Sequence, residues 1–320
     1  MGGDRDRPRT TYGGEALSWQ LEGGVLEVEL HRDPCNEIGL STLAELEALA
    51  RLVRAGAGGA HALLWTSAVE RGFSAGADLR ELRAGLLDAS RGPDAWARQV
   101  GRVLDRPAHA AVAALGTLRS LAGSLRRGGS LPGLSRAARA WGVRAFLDRI
   151  HRAFDTFDRS PIPTVAAVHG VCFGGGFELA LTADLIVADR TARFAFPELR
   201  LGLIPGFGGI PRLERDLGNA VVRDLLLSGR SLGARRAHEV GLIGQLVGAG
   251  EAPRVARRLA EQLGRFDRRT AERAKGFLKP FPARRLEREK DLFCALITSE
   301  TVERALSRFV ASSDPMPYLP

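Results

Sequence analysis

The chain has 320 residues, of which 45% are hydrophobic and 26% charged, and it carries a net charge of +9 from 46 basic and 37 acidic side chains. That length allows one large domain or two, and no apolar run reaches the ~18 residues that a membrane-spanning helix needs. Cys35, Cys172 and Cys294 are scattered, with no CxxC or Cys/His spacing, which argues against a disulfide framework or a zinc site and fits a reducing, cytoplasmic setting.

The first residues, MGGDRDRPRTTYGG, are polar and lack the apolar stretch of a secretory signal, and Asp6 stands where a myristoylation site carries Ser or Thr. Residues 1–13 read as a disordered lead-in. Residues 17–30, LSWQLEGGVLEVEL, alternate apolar and polar around Gly23-Gly24 and predict a hairpin. After the loop HRDPCNEIG, a helix is expected from Ser41, with Ser41 as its cap and Glu45 close behind. HALLWTS, residues 61–67, predicts a strand, and FSAGAD turns through glycine into a short helix, LRELRAGL. The alternation of strand, turn and helix implies an α/β core. No GxGxxG is present to support a dinucleotide site.

Residues 84–142 are rich in Ala, Gly, Leu and Arg and poor in acids. They read as two or three Arg-studded amphipathic helices broken near Pro107 and Gly128-Gly129. Then Phe146, Ile150, Phe154 and Phe157 recur at helical spacing, which marks a core-facing stripe. From about residue 218 to 309 the chain reads as mostly helical, with breaks at Gly229 and Gly241 and a charged run over residues 284–290.

The densest signal is VAAVHGVCFGGGFELALTADL, residues 165–185, followed by Glu198 in FAFPELRLGLIPG. The apolar, β-branched run predicts a buried strand, and Gly174, Gly175 and Gly176 let a ligand approach the backbone before a helix begins. The first N–H groups of that helix are free to meet an anion. Glu178 in the first turn, with Glu198 brought in by the next strand, suits acid/base chemistry on whatever those N–H groups hold. Ser74 has no His/Asp pattern beside it, His169 reads as a packing residue at a strand end, and Asp78 and Asp184 read as turn-fixing or capping residues. No His falls in a metal spacing.

This stretch resembles the signature of the crotonase, or enoyl-CoA hydratase/isomerase, superfamily. FSAGADLREL is similar to the family's first oxyanion segment, PELRLGLIPGFGGIPRL to its second catalytic strand and loop, and LLLSGRSLGARRAHEVGLIGQLV to the start of its C-terminal helical part. The resemblance runs from about residue 16 to 309, interrupted by an insertion on the order of 50 residues within 84–142, since the family crosses that interval in far fewer residues; surface insertions of this kind often carry function. It implies an α/β ββα spiral core over residues 14–215 and a C-terminal helical region over 216–320 that makes trimer contacts. The insertion reads as a lid over the acyl pocket, an oligomer or partner surface, or poorly ordered filler.

The resemblance also implies roles. The N–H groups of Ala77 and Gly175 form the oxyanion hole, Glu178 activates water, and Glu198 supplies a proton. Ala75, Ala77, Asp78, Leu79 and Arg80 lie along bound coenzyme A, with Arg80 near its phosphates. The implied substrate is an acyl-CoA thioester, with no cofactor beyond the coenzyme A it carries, and the implied assembly is a homotrimer or a dimer of trimers. The expected reaction is reversible hydration of a 2-trans-enoyl-CoA. A Δ3,Δ2-enoyl-CoA isomerase needs one carboxylate, so the presence of two favours hydration; a thioester hydrolase or decarboxylase of the same superfamily is a further reading. An RNA-binding protein on the same scaffold is the rival from another class. The basic insertion permits it but lacks aromatic residues interleaved for base stacking, so nucleic acid is not the expected partner.

Overall fold

Every second side chain of the main sheet serves a different core. In β4 (Ala62–Ser67), Leu63 and Trp65 join the large core, while Ala62 and Leu64 face a smaller one on the opposite side. The same division separates Ala166 and Val168 from Val165 and Ala167 in β6 (Thr164–Val168). A strand buried on both faces reads as a continuous apolar run, and this is the pattern of parallel strands covered by helices.

The computed structural model describes residues 10–90 and 131–312. The main sheet has seven strands. At one edge β1 (Thr11–Gly13), β2 (Leu17–Glu22) and β3 (Val25–Leu30) pair antiparallel. Beyond β3 the order runs in parallel through β4, β6, β8 (Leu185–Asp189) and β11 (Gln245–Val247). A second sheet has the order β10 (Leu232–Gly233), β9 (Arg193–Ala195), β7 (Val171–Phe173), β5 (Gly72–Ser74). Its three longer strands run parallel.

The helices are α1 (Leu40–Arg54), α2 (Leu79–Ser90), α3 (Leu131–Asp158), α4 (Gly175–Ala180), α5 (Gly209–Leu217) and α6 (Asn219–Ser228). They continue with α7 (Ala234–Glu239), α8 (Ala252–Leu263), α9 (Arg268–Leu278), α10 (Ala283–Leu296) and α11 (Glu300–Ala311). Helix α8 covers the smaller core with Ala252, Ala256 and Ala260. Alanine at every fourth position keeps that face narrow, so the helix lies close on Val25, Val165 and Val187. The other face of the sheet packs against α1 and α3, where Trp65 meets Phe157 edge-on with ring centroids 5.1 Å apart. The Phe stripe is confirmed: Ile150, Phe154 and Phe157 are fully buried and Phe146 partly so.

Several expectations are corrected. Residues 11–13 are an ordered edge strand, because Tyr12 stacks on Trp19 at 4.1 Å while β1 pairs with β2. Helix α1 begins at Leu40 with Gly39 as its N-cap, and Ser41 makes no cap. A capping acceptor comes instead from another element, where Glu81 Oε2 accepts from Leu40 N at 2.7 Å. Strands β10 and β11 lie beyond residue 216, so the C-terminal part contributes to both sheets as well as supplying helices. The ends of the Arg-rich stretch are the C-terminal turns of α2 and the start of α3. The expected breaks near Pro107 and Gly128-Gly129 lie outside the described residues.

Glu45 shows how the start of the hairpin is held. Its buried carboxylate accepts from Glu15 N (2.8 Å), Ala16 N (3.2 Å) and Leu17 N (2.9 Å). Glu45→Ala leaves these donors without an acceptor and should lower the unfolding free energy by about 3 kcal/mol in urea titration. Glu45→Gln should cost less, since its carbonyl oxygen still accepts. A loss below about 1 kcal/mol for the alanine variant would mean that water replaces the carboxylate.

Candidate active site

Two backbone segments come together where the glycines fall. Gly76 has φ +99°, in the left-handed region, and a Cβ there would lie 2.8 Å from both Gly175 N and Phe173 O. Gly174 has φ +49°, and its missing Cβ leaves room for Glu198, whose Oε1 would lie 2.9 Å away. Ser74 builds the same turn: its hydroxyl donates to Asn36 O (2.7 Å) and accepts from Gly76 N (3.1 Å). Asn36 fixes the adjoining loop through Ser67 Oγ, Phe73 O and Arg32 N.

The amides around this junction are spoken for. Ile38 N donates to Gly76 O, Asp78 N to Ile38 O, Gly174 N to Ala195 O and Glu178 N to Gly174 O, at 2.7–3.0 Å. The N–H groups of Ala77 and Gly175 have no acceptor among the described residues, and both residues line one cleft of ≈ 1090 Å³ that is partly open to solvent. Two free N–H groups on adjoining segments suit an oxygen that gains negative charge.

Both carboxylates line the same cleft. Glu178 is 2% exposed, in α4, and its Oε1 accepts from Phe207 N and Gly209 N, each at 2.8 Å. Burial pushes its carboxyl up to about 7, against the pull of those two donors and of Arg212. Glu198 is half-buried as a residue, but its Oε2 is shut from solvent and has no hydrogen-bond partner among the described residues. Burial, and next the charge of Glu178, push its carboxyl well above the usual carboxylate range. The cleft therefore holds one carboxyl poised near neutrality and one that keeps its proton.

Glu198 was expected on a strand, yet it opens a 3₁₀ turn, Glu198–Leu201, three residues beyond the end of β9. Pro197 has no N–H to continue a ladder, so the strand stops before it. Helix α4 is short, six residues from Gly175 to Ala180. It tightens into 3₁₀-type bonds at Thr182 and Ala183, and the Thr182 hydroxyl donates back to Leu179 O. Asp184 then accepts from Thr164 N and hydroxyl and pairs with Lys275 and Lys279.

Ala75, Ala77, Asp78, Leu79 and Gly175 line the cleft with the two glutamates. The Asp78 side chain is engaged as the cap of α2, accepting from Arg80 N and Glu81 N, and pairs with Arg32 at 2.8 Å. Arg80 lies outside the cleft lining, with its guanidinium 5.3 Å from the centre of the Phe309 ring. His169 packs at its strand end through Val69 O. Apart from Glu81, the remaining walls are apolar, among them Leu82 and Leu86 of α2, Val143, Phe146 and Leu147 of α3, and Phe293 of α10. The three cysteines are free.

Sequence reasoning missed the residues that hold the loop at Gly206–Ile210. Arg212, fully buried, donates to Phe207 O and Gly208 O and pairs with Asp155 and Asp158. His151 Nε2 meets Gly206 O at 2.8 Å, and burial keeps its ring neutral by lowering its pKa to about 3. Glu289 of α10 accepts from Gly208 N and Ile210 N. The only sequence signal for Glu289 was its place in a charged run, where nothing separates a buried carboxylate from solvated ones.

The family description enoyl-CoA hydratase/isomerase matches residues 145–316. The chain belongs to this family. The carnitinyl-CoA dehydratase of Escherichia coli is 46% identical over 101 residues, which are 32% of this chain and 39% of that protein. A Rhizobium meliloti protein named "Probable enoyl-CoA hydratase" is 39% identical over 153 residues, 47% of this chain and 60% of that protein. The chain thus spans between two fifths and three fifths of the length of these curated relatives. The crystal structure of enoyl-CoA hydratase from Bacillus halodurans superposes with a TM-score of 0.68 at 19% identity, covering 91% of this chain and 99% of that one. This likeness establishes the crotonase fold expected from the motifs. Among the described residues, no helix is long and apolar enough to cross a membrane, and no cluster of metal-ligating side chains occurs.

Proposed function

We propose that the protein hydrates 2-trans-enoyl-CoA thioesters, reversibly, as an enoyl-CoA hydratase. The observation that carries this reading is a pair of buried carboxyls with different proton affinities, Glu178 and Glu198, in one cleft with two unpaired amides. The thioester oxygen sits between Ala77 N and Gly175 N, which stabilise the enolate as charge moves onto oxygen. Ionised Glu178 takes a proton from water as its oxygen bonds to C3, and protonated Glu198 delivers a proton to C2. Run backwards, the same steps dehydrate a 3-hydroxyacyl-CoA. Leu82, Leu86, Val143 and Phe146 favour an uncharged, apolar acyl group. Of the acids nearby, Asp78 and Glu81 already pair with Arg32, which leaves them poorly placed to receive a cationic acyl chain.

The test is a spectrophotometric screen of purified protein against enoyl-CoA thioesters of different chain length, with products identified by mass. Hydration of neutral enoyl chains is the expected result. Double-bond migration without water uptake would replace this reading with an isomerase, and turnover restricted to a cationic acyl chain would overturn the pocket argument. The pH dependence follows from Glu178. Since the ionised form reacts, kcat/KM should rise as pH increases through about 7. Stability runs the other way. A carboxyl raised from 4.5 to about 7 by folding favours the native state below pH 4.5, and that contribution is lost as pH rises through 7. Glu178→Gln should therefore flatten the fall in Tm over this window, measured by scanning calorimetry.

The expected homotrimer, or dimer of trimers, has support in α9, which buries none of its residues and leaves Phe277 87% and Leu278 76% exposed. Light scattering of the purified protein tests it.

A further inference from the structure

The amides of the Gly206–Ile210 loop are divided between two buried carboxyls. Phe207 N and Gly209 N donate to Glu178 Oε1, each at 2.8 Å. The alternate amides turn the other way: Gly208 N donates to Glu289 Oε1 at 2.7 Å, and Ile210 N to Glu289 Oε2 at 2.9 Å. The carbonyls are held as well, Gly206 O by His151 and Phe207 O and Gly208 O by Arg212. Glu289 is 3% exposed and is not part of the cleft lining. Burying a carboxyl is expensive unless donors meet it, and an apolar side chain would pack the helix at less expense. Its presence calls for a role.

We propose that Glu289 is a positioning residue for Glu178, fixing the loop that presents the Phe207 and Gly209 amides to that carboxyl and acting on its ionisation from the far side of the same loop. This rests on Glu178 working as proposed above. The groups facing Glu289 leave it in tension. Glu178 lies across the loop on α4. Arg212 on α5 is committed to Asp155 (2.6 Å) and Asp158 (3.1 Å) of α3. His151 of α3 is neutral. Lys290, the next residue, turns away to Asp148 and Glu287. Burial, and then the charge of Glu178, raise the Glu289 carboxyl well above its ordinary value, while the Ile210 and Gly208 amides and Arg212 pull it back. Two carboxyls joined through one loop titrate as a pair.

The two carboxyls differ in a way that a substitution can use. Glu178 takes both of its amides on one oxygen, whereas Glu289 takes one on each. A glutamine at position 289 keeps only one acceptor oxygen, so one of the Gly208 and Ile210 amides loses its partner. Glu289→Gln should slacken the loop and with it the Phe207 and Gly209 amides, whose donation lowers the proton affinity of Glu178, and so move the acid limb of kcat/KM up by about one pH unit and lower kcat about tenfold with KM unchanged. Glu289→Asp keeps both acceptor oxygens on a shorter arm, so kcat should fall while the limb stays nearer that of the wild type than in Glu289→Gln. Infrared titration of the carboxyl C=O stretch, with the Glu178 band assigned by its loss in Glu178→Gln, should show the same movement. Ile297→Ala, which only loosens packing at the end of α10, should lower Tm and leave the limb alone.

A Glu289→Gln protein with lowered Tm but an unmoved limb and an unmoved Glu178 band would reduce Glu289 to a structural part and overturn the proposal. If the wild type hydrates no enoyl-CoA, the function proposed above fails, and the infrared titration still decides this inference. If Glu289→Gln does not fold, the wild-type band decides: coupled carboxyls should titrate over more than about two pH units, and a single-proton curve would refute the coupling.

Discussion

Glu178→Gln and Glu198→Gln should each lower kcat for hydration of crotonyl-CoA by about 10²–10⁴-fold, the range for a lost general acid or base, with little change in KM. Glutamine is the informative replacement at position 178. Both amides that hold this side chain, Phe207 N and Gly209 N, donate to a single oxygen, and a glutamine carbonyl can accept both. The loop stays in place and only the proton chemistry is removed. At position 198 the unpaired Oε2 makes no bond among the described residues for an amide to break. The double variant should lose far less than the product of the single losses, because the two groups act on one transition state. Loss of the enoyl absorbance gives the rate. Near-wild-type turnover in either single variant would remove that residue from the mechanism, and dependence on Glu198 alone would favour the isomerase.

Gly76→Ala should lower kcat by about 10²–10³-fold, the loss typical of one oxyanion donor. A Cβ at this position meets Gly175 N and Phe173 O at 2.8 Å, both of them backbone, and the residue sits at φ +99°. Nothing flexible can move aside, so the two segments must part and the Ala77 and Gly175 amides lose their common focus. Strain at a positive φ adds about 1–3 kcal/mol of destabilisation. Gly276→Ala is the control: it lies in α9 with open space around its missing Cβ, and removing a helix glycine should stabilise the protein by about 0.5–1 kcal/mol. Unchanged turnover in Gly76→Ala would mean that these amides do not hold the thioester oxygen.

Local signals made the Glu178–Glu198 pair legible. The strand before Gly174, the short helix after it and the spacing from Glu178 to Glu198 are all written within one continuous stretch. The alternating hairpin and the Phe146–Phe157 stripe were legible for the same reason. Contacts made at long range were not. Glu81 caps α1 from 41 residues away and Glu45 holds the hairpin start from 28 to 30 away, so neither could be read from its own neighbours. Ser41 looked like a cap because capping residues are recognised by type, and the fold supplied an acceptor from elsewhere. VCF was too short to separate from the glycine turn that follows, yet it forms the strand joining β5 to β9. In ARRLEREKD, Glu289 and Lys290 are buried while Glu287 and Asp291 are exposed. Helical phase alone cannot make that distinction when every face carries charge.

The clamp from α10 also sets the order in which a newly made chain becomes competent. Glu178, the glycine turn and the whole Gly206–Ile210 segment leave the ribosome long before residue 289, and domains begin to fold from the N-terminal side during synthesis. Until α10 arrives, the Gly208 and Ile210 amides lack their acceptor, 79 to 81 residues further along the chain. A polypeptide stalled or cut before that helix would contain both Glu178 and Glu198 and still hold Glu178 on an unsecured support. Arrival of α10, rather than emergence of Glu178 and Glu198, is the event that secures the loop between them and Glu289.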